Sequence, residues 1–346
     1  MHYFAAHRMH HSTQFAKYIL GEGRYAPFPE IIEFYTGIDR RREDAVMQIT
    51  SDLRSMNTAF LERTGIAEGF EPWQRAQWVP SEPSVEALLR EVTETASDST
   101  LPVAVKEAIA DQSYDRAKPY RQELAKFIND SSLRKMMSAV KGAARALRNS
   151  DHVDPKLKMA LMEEVVCCWR RICQIIAVLS PLLVEHRRAY FEGIAFHLDE
   201  SFDLAKTDEA RFGQVLSAIP GNIALWYQDD IFSRKMGALF SRYTEAHRGT
   251  LNESLILLVM ATQRSPGWEE EIDSFIERSK KNSFYLSQLF SRLFSELRTS
   301  ITNERTRQQL RRLAAKAVAK HQGSKHLSSK VIERTAKDLD KSVDRG

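Results

Sequence analysis

From Arg40 to Arg63 the apolar residues Val46, Ile49, Leu53, Met56 and Phe60 advance by three, four, three and four positions. That period places one buried stripe along an α-helix, and Gly65 is expected to close it. Signals for the alternative architecture are missing. No Asn-Gly or Asp-Gly pair occurs, and period-two alternation is scarce. Hairpin-rich β-structure depends on both. Six prolines (Pro29, Pro83, Pro102, Pro119, Pro155 and Pro266) stand where a first helical turn tolerates a missing N–H. The pattern predicts an all-α chain, a multi-helix bundle or irregular stacked helical hairpins with little or no β-structure.

Helices are expected near 3–20, 29–36, 40–63, 83–96, 102–112, 119–129, 132–148, 155–180, 182–192, 208–218, 222–229, 231–247, 251–263, 267–280, 283–298, 304–320 and 328–340. Ser265 would cap the helix that buries Trp268, Ile272, Phe275 and Ile276. Between 66 and 82, Trp73 and Trp78 predict an ordered loop pinned by aromatic side chains. The alternation Ile194, Phe196, Leu198 marks the one place for a short strand. Phe-Ser-Arg recurs at 232–234, 240–242 and 290–292 without a common period, so no repeat is established.

A length of 346 residues accommodates two domains, and 43% hydrophobic with 28% charged residues excludes wholesale disorder. The Asn149–Pro155 punctuation divides the chain into a helical region, 1–148, and a helical domain, 153–304, followed by a basic helix and tail, 305–346. The longest apolar run, Ile172 to Val184, is shorter than the ~20 residues that cross a bilayer, so no membrane span is expected. The first residues lack the apolar core of a secretory signal, and Cys167, Cys168 and Cys173 are too close along one segment to bridge readily. A cytoplasmic protein with free thiols is expected.

Catalytic signatures are sparse. Phosphate loops, nucleophile elbows, His-Glu-x-x-His helices and paired Cys-x-x-Cys motifs do not occur. The Arg-x4–6-His spacing typical of helical HEPN ribonucleases is matched by Arg242/His247 and Arg145/His152, no more often than chance supplies. In that chemistry His moves a proton and Arg steadies phosphate charge. His7, His10 and His11 share a helical face able to hold a transition metal, but no carboxylate among the first twenty residues completes a site. No metal or cofactor is therefore assigned.

Two regions stand out as surfaces. Around Trp226, Tyr227, Asp229, Asp230 and Arg234 the chain concentrates residue types that anchor protein partners. From Arg305 to Gly346, twelve basic residues face four acidic ones, although the whole chain carries only +4. Arg311, Arg312, Lys316 and Lys320 would lie on one exposed helical side able to meet nucleic-acid phosphates. The leading functional expectation is a non-enzymatic helical scaffold or accessory subunit that binds a protein partner. A nucleic-acid-associated protein using its basic arm is the second, and a metal-independent helical ribonuclease the third.

Overall fold

A computed structural model of the chain describes residues 1–111, 133–191, 194–197, 207–299, 303–323 and 329–344. The expected helix at 119–129 lies outside them. Fifteen α-helices and one two-stranded hairpin are present among the described residues. The chain divides into two compact units, the first comprising Met1–Glu71, Glu86–Ile219 and Trp226–Ile231, the second Pro72–Val85, Pro220–Leu225 and Phe232–Gly346. The Asn149–Pro155 punctuation joins two helices inside the first unit.

The first unit begins with α1 (His2–His11) and α2 (Thr13–Leu20). They replace the single helix expected at 3–20 because Ser12 adopts an extended conformation and its hydroxyl accepts the Phe15 N–H at 3.3 Å. Pro29 opens α3 (Pro29–Ile38). The striped segment forms α4 (Glu43–Thr64), closed by Gly65 in the left-handed region at φ 63°, as the stripe predicts. After α5 (Glu82–Asp98) and α6 (Val103–Asp111) come α7 (Leu133–Asn149) and the long α8 (Pro155–His186). Asp154 caps α8, accepting the Lys156 N–H at 2.7 Å.

Helix α8 continues through Pro181, where separate helices were expected on either side. Pro removes one backbone bond and bends a helix but need not end it when packing holds both sides. Arg187, left-handed at φ 51°, ends α8 instead, and the chain turns into β1 (Arg188–Phe191), paired antiparallel with β2 (Ile194–His197). Thus a strand forms where the alternation allowed one, and its partner occupies residues expected to be helical. Likewise α9 (Asp208–Ile231) runs unbroken through Pro220.

Helix α8 packs on α4 and α7, and Trp169, Ile172, Ile175 and Val178 are fully buried. By length and a mean hydropathy of 1.5, Pro155–Glu185 could also cross a membrane, which the 13-residue run did not anticipate. Within this structure 83% of its apolar 18-residue window is buried in protein, as in a core helix.

The second unit holds α10 (Gly237–Ala246), α11 (Leu251–Gln263), α12 (Trp268–Arg278), α13 (Phe284–Arg298), α14 (Glu304–His321) and α15 (Ser329–Asp344). Every residue of α11 from Leu251 to Ala261 is buried, so it is the central helix, apolar from Leu255 to Ala261 and packed by α10, α12 and α13. Its buried Glu253 accepts from the Arg278 guanidinium and from the Gly249 N–H, both at 2.6 Å. Helix α12 buries the four residues expected, but its cap is Gly267 at φ 85°, not Ser265. The chain is tight here: a Cβ on Gly237 would lie 2.4 Å from the Pro266 carbonyl oxygen. The loop before α5 is pinned as its tryptophans suggest. Trp73 is buried, and Trp78 lies against Phe290 and His321 at ring separations of 5.1 and 4.2 Å.

Candidate interaction surface

The aromatic cluster around Trp226 is divided in its roles. Trp226 is 41% exposed and Asp229 is exposed, whereas Tyr227 and Asp230 are buried in the first unit. Tyr227 stacks on Trp169 at 5.7 Å, and burial pushes its hydroxyl far above the ordinary tyrosine range. Asp230 accepts from Arg145 Nε at 2.7 Å. As partner anchors these two are corrected: the period of α9 turns them inward, where ring and carboxylate are already engaged. Arg234, in the second unit, is exposed on a single 3-10 turn at Arg234–Met236.

Arg145 also contacts Glu30 at 3.2 Å and Glu33 at 3.1 Å, while its neighbour Arg148 pairs with Glu33. Burial opposes the Arg145 charge, but Asp230, Glu33 and Glu30 outweigh it and raise its pKa. A guanidinium already neutralised by three carboxylates is poorly placed to steady a phosphate. In the other Arg/His pair, the His247 ring stacks on Tyr243 at 4.2 Å.

The basic positions of α14 meet an acidic ladder. Glu269, Asp273 and Glu277 recur every four residues along α12, and Arg312, Lys316 and Lys320 recur every four along α14. Arg312 reaches Glu269 at 2.6 Å, Lys316 lies 2.6 Å from Asp273 and 2.8 Å from Glu277, and Lys320 donates to the Glu277 carbonyl at 2.5 Å. Lys316 is buried, correcting its expected exposure. Arg311 sits 3.6 Å from Glu304 on the same helix. Three of the basic residues, Arg312, Lys316 and Lys320, therefore serve to dock α14 on α12. Exposed cations persist further on, at Lys330, Arg334, Lys337 and Lys341 of α15.

A different surface was not anticipated from sequence. On α1 and α3, Phe4 is 75% exposed, Tyr3 50% and Phe34 41%, with Phe28 beside α3 at 48%. Tyr3 meets Phe34 edge-on at 5.8 Å and Phe4 at 6.0 Å, and the His2 ring lies 5.9 Å from Phe28. Tyr3, Phe4 and Phe34 thus make one aromatic cluster, and Phe28 lies near it against His2. Periodicity missed it because α1 buries only Ala6 and Met9, so its outward rings carry no amphipathic stripe. An apolar count of the outer face of α1 could have found it.

A cavity of about 220 Å³ lies in the first unit, lined by Leu89, Ile109, Pro181, Val184, Arg187 and Phe212 among others. It is smaller than the roughly 300–1,000 Å³ usual for ligand pockets. No group of three or more metal-ligating side chains occurs among the described residues. All three cysteines are free, and burial pushes the Cys168 and Cys173 thiols well above their ordinary values. In native protein Cys167, the partly exposed one, should react first with a disulfide reagent, and all three should react after denaturation. Quantitative mass spectrometry of labelled peptides checks this, and fewer than three labels in unfolded protein would contradict it.

Comparison with known proteins finds no matching family model, curated protein or solved structure.

Proposed function

We propose that this chain is a helical scaffold or accessory subunit that binds a protein partner through the aromatic surface of α1 and α3. The observation carrying the reading is the contiguity of Tyr3, Phe4 and Phe34 at the surface. Exposed aromatic clusters are costly to leave in water, and such residues supply much of the energy of protein interfaces. Residues 1–20 contain Arg8, Lys17 and four histidines but no carboxylate. The partner that fits presents apolar side chains flanked by carboxylates. A cytoplasmic setting is part of the proposal, because unbridged thiols suit a reducing compartment.

The test compares wild type with Phe4→Asp/Phe34→Asp. Phe4 is 75% and Phe34 41% exposed, so circular dichroism should be unchanged and the thermal midpoint should fall only slightly, through the lost Tyr3–Phe34 contact. Affinity for a partner isolated from host cells should fall by about 2 kcal/mol or more, close to thirtyfold, as for an interface hot spot. Equal binding by the variant, or no partner retained by wild type, overturns the proposal.

A further inference from the structure

We propose that His7 and His11 form a two-imidazole site for a divalent transition metal, with zinc as the working case. Their Nε2 atoms lie 3.3 Å apart across one turn of α1, and both side chains are exposed. Two zinc–imidazole bonds of ~2.0–2.1 Å meeting at the tetrahedral angle span roughly 3.3–3.4 Å between nitrogens. The rings already hold the nitrogen separation of a chelate.

The third histidine of the cluster bears on the choice of ligands. His10 lies beside the pair, its ring centre 5.3 Å from that of His11, but its Nδ1 is engaged, accepting from the Arg42 guanidinium at 2.6 Å. That contact occupies one nitrogen of the third histidine, whereas His7 and His11 hold their Nε2 atoms 3.3 Å apart, which makes them the proposed ligand pair.

The proton balance is simple. Where the 3.3 Å contact is a hydrogen bond between neutral rings, one Nε2 carries the shared proton. On binding, that ring takes up its Nδ1–H tautomer, both Nε2 lone pairs face the metal, and no net proton is released from neutral imidazoles. Two protein ligands leave two tetrahedral positions to water or to a carboxylate from outside the chain. Tyr3, whose ring centre is 6.2 Å from that of His7, places those positions at the edge of the aromatic surface. The site does not depend on that surface binding a partner.

The test uses the full chain without a polyhistidine tag, stripped with chelator and titrated with zinc chloride by calorimetry. One equivalent should bind, and cobalt should give the intense visible absorption of a tetrahedral complex. Loss even of an outer-shell group weakens metal sites ten- to hundredfold, so His7→Ala or His11→Ala should weaken binding about tenfold or more. His2→Ala should change it less than twofold. Zinc should also raise the thermal midpoint of wild type but not of His7→Ala/His11→Ala. Absence of binding by wild type, or binding retained by the double variant, overturns the proposal. Failure of the aromatic-surface variants to affect partner binding leaves this measurement unaffected.

Discussion

Trp169→Ala should cost the first unit about 3–5 kcal/mol, the range for deleting a large buried aromatic side chain. The indole is fully buried in α8 and stacks on Tyr227 with the ring planes 14° apart. Deletion removes the area hidden from water and also leaves the Tyr227 face without a partner. Its indole N–H has no hydrogen-bond acceptor among the described residues. Trp169→Phe therefore removes a buried donor along with some volume, and should cost less than about 1.5 kcal/mol. Urea unfolding followed by far-ultraviolet circular dichroism gives both values. A loss below about 1 kcal/mol for Trp169→Ala would mean that the Trp169–Tyr227 stack is not a core contact.

The same stack explains why the helices were legible in the sequence and the surfaces less so. Val46, Ile49, Leu53 and Phe60 announce α4 because their burial follows the helical period locally. Pro29 and Pro155 mark helix starts for a similarly local reason, the missing N–H. Tyr227 and Asp230 depend on what faces them, Trp169 nearly sixty residues earlier and Arg145 eighty-five residues earlier. Aromatic and charged density in one segment cannot tell an outward anchor from an inward lock. The hairpin shows the same limit: β2 shows alternation, whereas β1 is set by the left-handed turn at Arg187. Net charge misled in a related way. Arg312, Lys316 and Lys320 count as a basic run only until Glu269, Asp273 and Glu277, about forty residues upstream, are laid beside them.

That ladder makes Lys316→Glu the most informative change in the second unit, with an expected loss of about 3 kcal/mol or more. The Lys316 side chain is 9% exposed and Asp273 26%, so reversal would bring three carboxylates together with little water between them. Breaking a buried pair by changing one partner costs about 3–5 kcal/mol, and Glu277, 64% exposed, relieves part of it by turning outward. Lys316→Met keeps most of the apolar stem and leaves Asp273 within 3.6 Å of Arg312, so about 1–2 kcal/mol is expected. Adding Asp273→Lys to Lys316→Glu restores an opposite pair and should recover at least half the loss, a coupling that a denaturation cycle measures directly. An unchanged unfolding midpoint in Lys316→Glu would show that the ladder does not hold α14 on α12. The result also decides how the nucleic-acid alternative must be tested. A reversal within the ladder would weaken DNA retention simply by undocking α14. The discriminating variants are the exposed Lys330, Arg334, Lys337 and Lys341, changed to Glu: if the basic segment grips phosphates, retention on DNA at low salt should fall with no change in the unfolding midpoint.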